Sequence, residues 1–120
     1  MTALNDPTRL AAYLDALANW SLERYIEFEL TAESERWVRE ELGAIPFSEI
    51  RRLMHEHVAG GGTIDEVRET RPEWTDEYEF HYDLRVTIND VPTYIETRLM
   101  FEPPFVPDRP WILVVNLHAP

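Results

Sequence analysis

The last third of the chain brings together residue types that transfer protons and bind anions. Residues 80–86, 93–99 and 112–118 are predicted to be β-strands, in which successive side chains alternate between two faces. One face of the first two strands is then buried: Phe80, Tyr82, Leu84, Val86, Ile95, Thr97, Leu99 and Phe101. The opposite face, which we call the polar face, carries His81, Asp83, Arg85, Tyr94, Glu96, Arg98 and His118.

The polar face has the chemistry for phosphodiester cleavage or a related acid–base reaction. A histidine that titrates near neutrality can take a proton from a 2′-hydroxyl or return one to a leaving oxygen. Arginine can neutralise charge on the phosphorane, and Tyr94 can act as an acid or position the substrate. Because neighbouring strands lie about 5 Å apart, a favourable register would let the following side chains converge: His81, Arg85, Tyr94, Arg98 and His118.

The residue types alone allow two other interpretations of the polar face. The arginines and carboxylates could form cross-strand ion pairs on a solvated face, and the histidines would then be incidental. Alternatively, His81, Asp83 and His118 could offer two imidazoles and one carboxylate to a metal ion. His55 and His57 cannot share an ion, because helix residues two apart point about 200° away from each other. Spacing alone supports the metal set, so we predict neither a metal nor a cofactor.

Composition narrows the classes of function. The 120 residues fit one domain, cysteine is absent, and all 11 basic residues are arginine, which excludes thiolate and lysine Schiff-base chemistry. The 23 acidic residues give a net charge of −12, which disfavours RNA, DNA and anionic membranes and favours a basic protein partner. No apolar run approaches the about 20 residues of a membrane span, and no signal peptide is evident, so we expect a cytoplasmic protein without membrane contact.

The residues before the strands are predicted to be mostly helical. Helices are expected over residues 7–18, 21–30, 32–42, 46–58 and 63–70. Asp6 with Pro7, and Thr31, provide N-terminal capping signals for the first and third helices. Residues 21–30 fit a strand pattern as well, and we favour a helix. Thr63 and Glu66 have the spacing of a capping box, which predicts the last helix.

These elements predict an α+β fold in a single domain, residues 1–120. N-terminal helices, over about residues 7–70, should pack on one face of a C-terminal antiparallel β-sheet of three or more strands, over about residues 78–118. Residues 89–92 should form a hairpin turn between the first two strands. Residues 102–110 contain four prolines and should form a stiff, extended link that can lie over the sheet edge.

Short motifs follow one another along this predicted fold: Phe28-Glu29-Leu30-Thr31, Glu41-Leu42-Gly43, Thr93-Tyr94-Ile95-Glu96 and Val114-Val115-Asn116-Leu117-His118. Their order over about residues 28–118 resembles the MqsR branch of the RelE-like bacterial toxin fold. That resemblance implies a metal-independent messenger-RNA endoribonuclease that an antitoxin partner neutralises. Residue by residue, it carries over Tyr94 and His118, and less directly His81 and Arg98, as catalytic residues.

Two functional hypotheses follow. In the first, RNA is the substrate, His118 is the acid–base group, Tyr94 positions or protonates, and arginine holds the phosphate. The second is a non-enzymatic, acidic interaction module that binds a basic protein or mimics nucleic acid. Two observations motivate the second hypothesis: the net charge of −12, and Glu96 at a position where the toxin motif usually carries lysine.

Overall fold

The chain folds into three helices and six strands in the part that a computed structural model describes, residues 2–101 and 109–120. In chain order the elements are β1 (Thr2–Ala3), α1 (Pro7–Ala18), β2 (Ile26–Phe28), α2 (Ala32–Glu41), α3 (Phe47–Ala59), β3 (Asp65–Arg68), β4 (Phe80–Ile88), β5 (Val91–Met100) and β6 (Trp111–His118). Helices that are mostly N-terminal and a sheet that is mostly antiparallel confirm the predicted α+β class.

The six strands form one sheet in the order β1-β3-β4-β5-β6-β2. Neighbouring strands are antiparallel except for β2 and β6, which are parallel. The long strands β4, β5 and β6 make the centre of the sheet, as predicted. Segments from the first half of the chain supply both edges, so the sheet extends well beyond residues 78–118.

Two helices begin where the capping signals predict. The Asp6 carboxylate accepts a hydrogen bond from the Arg9 amide at 2.9 Å, and Pro7 is the first residue of α1. The Thr31 hydroxyl accepts from the Ser34 amide at 3.1 Å at the start of α2. Within the described ranges, no helix combines the length and the apolar composition needed to cross a membrane.

The helix predicted over residues 21–30 is wrong. Arg24 has left-handed backbone, with φ of 69°, which interrupts a helix. The chain then forms β2, and the Ile112 amide donates to the Tyr25 carbonyl at 2.7 Å. Ile26 is 1% exposed. The alternating pattern of residues 25–30 indicates the correct structure here, because pairing with β6 buries the Ile26 side chain in the core.

The short helix predicted over residues 63–70 is also wrong, because Asp65–Arg68 is strand β3, paired with β1 and β4. In a capping box the Glu66 side chain would turn back to the start of the helix. Here it accepts a hydrogen bond from Nε of Arg9 in α1, at 3.0 Å. Asp65 pairs with Arg85 of β4 at 3.2 Å. Long-range partners therefore override a local capping signal.

Helices α1 and α3 cover the apolar face of the sheet. Leu84 and Ile95, which face each other across β4 and β5, are both fully buried there. The Tyr13 side chain of α1 reaches the same face, where its hydroxyl hydrogen-bonds Oγ1 of Thr97 at 2.8 Å. Phe101 was predicted to share this core, but β5 ends before it and the residue is 48% exposed. That prediction is wrong.

A hairpin turn joins β4 and β5, and it is shorter than the predicted residues 89–92 because Val91 and Pro92 belong to β5. It consists of Asn89 and Asp90, with φ of 50° and 65°, which is the left-handed pattern of a type I′ turn. The extended link predicted for residues 102–110 falls mostly on residues 102–108, which lie outside the described residues.

A β-bulge in β6 decides which of its side chains face the core. Glu96 pairs with Asn116 and Thr97 pairs with Val114, so Val115 is an extra residue without a partner on β5. Beyond this extra residue the alternation of faces shifts by one. As a result Leu117 is buried in the core, and His118 lies on the polar face opposite Tyr94.

Candidate functional site

The register places the predicted polar residues of β4, β5 and β6 side by side. Asp83 pairs with Glu96 and Arg85 pairs with Tyr94 across β4 and β5. On the other side of β5, Tyr94 pairs with His118. The strand alternation therefore predicted the residues of this face correctly on β4 and β5, whereas the bulge in β6 places His118 there.

Asp83 lies at the centre of one group of contacts. Its side chain is 0% exposed, it accepts a hydrogen bond from the Tyr94 hydroxyl, and its Oδ1 is 2.8 Å from Nδ1 of His81. Burial, and then the hydrogen bond to Asp83, raise the pKa of Tyr94 above its usual value. Two of the four predicted catalytic residues, His81 and Tyr94, are thus held by one buried carboxylate.

His118 contacts the same group through its ring. The imidazole stacks on the Tyr94 ring with centroids 4.9 Å apart and planes at 25°. Its Nδ1 is 2.7 Å from the Ala119 carbonyl oxygen, which can only accept. Nδ1 therefore carries a proton in this arrangement, and Nε2 is the nitrogen that can accept one.

Arg98, the fourth predicted residue, lies at the other end of the polar face. It is four residues from Tyr94 along β5, about 13 Å at the rise of a strand. Its Nη1 is 2.7 Å from Oε2 of Glu69, and both side chains are nearly inaccessible. The structure brings His118, Tyr94 and His81 into one chain of contacts and holds Arg98 apart from His118.

Arg98 belongs to an ion network of two arginines and two glutamates. Arg71 pairs with Glu69 at 2.8 Å and with Glu96 at 2.5 Å, and Arg98 approaches Glu96 at 3.9 Å. The charges of these four side chains sum to zero. Hydrogen bonds from Arg71 are the largest cause that holds the pKa of Glu69 well below its usual value.

The network fastens residues 69–79, the segment between β3 and β4, to the polar face. The guanidinium of Arg98 lies under the Tyr78 and Trp74 rings, 4.5 and 5.6 Å from their centroids. Glu69 and Arg71 anchor the start of the segment through their pairs with β5. Sequence reasoning missed this segment, because no local pattern indicates that it folds back over the sheet.

Between this segment and α2 lies a cavity of about 450 Å³, which we call the sheet-face cleft. Its floor is formed by Glu96 and Arg98 of β5 and by Leu113, Val115 and Asn116 of β6. Its walls are formed by the 69–79 segment and by the linker between β2 and α2: Arg71, Trp74, Tyr78, Glu29, Leu30 and Thr31. Among the four predicted catalytic residues, Arg98 lines this cleft.

A smaller hollow of about 290 Å³ lies beside it, between α2 and the end of β6. His118 lines this hollow together with Trp37 and Arg36. Ser34 forms its base: the hydroxyl accepts from the Leu117 amide at 3.2 Å and donates to Asn116. His118 and Arg98 therefore face different cavities.

The metal alternative requires His81, Asp83 and His118 around one ion. His81 and Asp83 are neighbours on the same face of β4, but His118 is two strands away, about 10 Å across the sheet. Over residues 2–101 and 109–120, no group of three or more histidine and carboxylate side chains is arranged to hold a metal ion.

Comparison of the chain with protein-family models, with curated proteins and with solved structures finds no match.

Proposed function

We propose that this chain is a cytoplasmic, non-enzymatic interaction module that binds a basic protein partner through its acidic surface. The observation that carries the proposal is the neutralisation of the arginines on the polar face by carboxylates of the same chain. Arg98 and Arg71 share Glu69 and Glu96, and Arg85 pairs with Asp65 at 3.2 Å. A phosphate entering this face would have to displace a carboxylate that is already bonded.

The balance of charge outside these pairs supports a basic partner. The chain has 23 acidic and 11 basic residues, so carboxylates remain in excess after every arginine is paired. Such a surface attracts a positively charged protein at long range and repels RNA. The attraction is screened by salt, with a Debye length of about 10 Å at 0.1 M.

The separation of the predicted catalytic residues supports the same proposal. A proton transfer partner must lie within hydrogen-bond reach of the reacting atom, and arginine must reach the phosphate at the same time. His118 and Arg98 face different cavities, and the Tyr94 hydroxyl is bonded to Asp83. These positions favour a structural use of the polar residues.

Calorimetric titration of the intact protein with an octa-arginine peptide tests the proposal. We expect saturable binding at low salt that weakens at least tenfold between about 50 and about 300 mM salt. The His118→Ala variant should bind the peptide as the wild-type protein does, because the substitution leaves all 23 acidic residues in place. RNA incubated with the protein in EDTA should stay intact. Absence of peptide binding, or RNA cleavage that His118→Ala abolishes, would overturn the proposal.

A metal-independent ribonuclease is the second candidate, and one observation favours it. His118 has Nδ1 bonded to the Ala119 carbonyl and Nε2 available as a base, which is the arrangement of an oriented catalytic histidine. The resemblance to MqsR-type toxins points to the same residue and adds an antitoxin partner. Cleavage of RNA in EDTA, lost in His118→Ala and retained in His57→Ala, would establish this candidate.

A further inference from the structure

We propose that the sheet-face cleft is the docking site of the partner, and that it takes an extended segment in which arginine or lysine alternates with apolar residues. This inference rests on the proposed function and names the surface and the chemistry of the partner. It is carried by the strand face that forms the floor of the cleft, by the apolar side chains that line it and by the exposed carboxylates of the two segments that form its walls.

A strand face forms the floor of the cleft, so an extended peptide can lie along it. Leu113, Val115 and Asn116 follow one another along β6, and the bulge at Val115 turns consecutive side chains toward the cleft. An extended peptide has side chains on two sides, so one side can contact this floor while the other faces the solvent.

Apolar and aromatic side chains line the cleft, so it can bind apolar residues of a partner as well as charged ones. Trp74 is 40% exposed on one wall, and Leu30 is half-buried on the other. Exposed tryptophan and tyrosine are the residue types that contribute most to protein interfaces, since they bury a large area with few rotatable bonds. The apolar residues of the bound segment would contact Trp74, Leu113 and Val115.

Glu29 lines the cleft, and further exposed carboxylates beside it favour basic residues at the alternate positions. The 69–79 segment carries Glu73, Asp76, Glu77 and Glu79, and all four are exposed. The opposite wall carries Glu29, and Glu33 and Glu35 follow on α2. A second copy of the chain is a poor occupant, because two molecules with a net charge of −12 repel each other.

The wall that carries Trp74 is fixed before binding. Arg71 and Glu69 of this wall form ion pairs with Glu96 and Arg98 of β5. The backbone of the wall therefore need not become ordered when the partner binds. A preformed site loses less conformational entropy on association. The ion network therefore has a use in the proposed function: it holds one side of the cleft in place.

Fluorescence anisotropy with a labelled peptide of alternating arginine and leucine tests the inference. Trp74→Ala should weaken binding at least tenfold. Leu113→Thr should weaken it severalfold while keeping a residue that suits a strand. A variant with fewer wall carboxylates should lose about tenfold in affinity at low salt: Glu29→Gln, Glu73→Gln and Asp76→Asn together. Circular dichroism should show that each variant is folded.

A matched control removes three exposed carboxylates that lie neither in the cleft lining nor in its wall segments: Asp15→Asn, Glu23→Gln and Asp90→Asn. This control should bind the peptide within about twofold of the wild-type protein, since exposed charges beyond a Debye length are screened. A second control peptide with serine in place of leucine should bind about tenfold more weakly, because it lacks the apolar contacts.

The possible failures are distinguishable. If the peptide binds but Trp74→Ala and Leu113→Thr bind equally well, the cleft is not the site and the proposed function stands. Equal affinity for the leucine and serine peptides would overturn the amphipathic partner. If neither these peptides nor octa-arginine bind, the proposed function fails as well. Concentration-dependent dimers that Trp74→Ala abolishes would identify a second copy as the occupant and overturn the inference.

Discussion

Arg98 and Glu69 form an ion pair at 2.7 Å in which the two side chains are 4% and 0% exposed. Charged groups are rarely buried so completely unless each is paired, because removing either partner leaves the other without solvation. The pair joins β5 to the segment after β3, which are distant in sequence. It therefore explains both why Arg98 is unsuited to hold a phosphate and how the wall of the sheet-face cleft is positioned.

Truncation of Arg98 should destabilise the protein. In Arg98→Ala the buried Glu69 keeps Arg71 as a partner, so we expect a loss of about 3 kcal/mol in the free energy of unfolding, measured by chemical denaturation. Arg52→Ala is the matched control, because Arg52 also pairs with two glutamates, but on the exposed side of α3. The control should change the unfolding midpoint little. A comparable loss in both variants would contradict the structural role of the buried pair.

Protonation of Glu69 should lower stability in acid. Its pKa is held below the ordinary value of 4.5 in the folded protein, so the unfolded chain binds more protons as the pH falls through that value. The stabilisation is thus present above about pH 4.5 and is lost progressively below it. In Glu69→Gln the free energy of unfolding should fall less steeply over the same range. Identical slopes for the variant and the wild-type protein would count against a buried, ionised Glu69.

Loss of the Tyr94 hydroxyl should leave the buried Asp83 carboxylate with one hydrogen-bond donor fewer. Tyr94→Phe should therefore cost about 1–3 kcal/mol in the free energy of unfolding at neutral pH. Tyr25→Phe is a suitable control, since the described residues provide no hydrogen bond to its hydroxyl and its ring packs against Arg109. If the two variants lose the same amount of stability, the hydroxyl of Tyr94 has no special partner.

The type I′ turn between β4 and β5 offers a stabilising substitution. Asp90 has φ of 65°, a conformation that glycine adopts without the steric cost of a side chain. Asp90→Gly also creates the Asn-Gly pair preferred in such turns, so we expect a gain of about 0.5–1 kcal/mol. Asn89→Ala should be destabilising instead, because Asn89 shares the left-handed backbone and its side chain donates to the Leu42 carbonyl at 3.1 Å. Thermal unfolding of the two variants checks this pair of predictions.

Local signals predicted the central part of the fold, and long-range pairing decided the rest. Capping at Asp6 and Thr31 and the alternation of β4 and β5 depend on neighbours in sequence, and these predictions were confirmed. The segments wrongly predicted as helices over residues 21–30 and 63–70 form strands β2 and β3, because they pair with the backbones of β6 and β4. Nothing within those segments reveals the presence of those partners.

The residue types on the polar face could be predicted from the sequence, but the contacts between them could not. Alternation placed His81, Tyr94 and Arg98 on one face, as the register confirms. For His118 the face depends on the bulge at Val115, because strict alternation from the buried Val114 would place His118 on the core side. The contacts of Arg98 with Glu69 depend on a segment that folds back over the sheet, and no spacing in the sequence encodes that path.

The central claim is that the polar face binds a basic partner through the sheet-face cleft and not through His118. Amide and indole chemical shifts of nitrogen-labelled protein, followed during titration with the arginine–leucine peptide, test it most directly. We predict that the Trp74 indole and the amides of Arg71, Tyr78, Leu113 and Val115 shift in proportion to occupancy, while those around His118 and the turn at Asn89 stay in place. An unchanged spectrum, or shifts centred on His118, would contradict the claim.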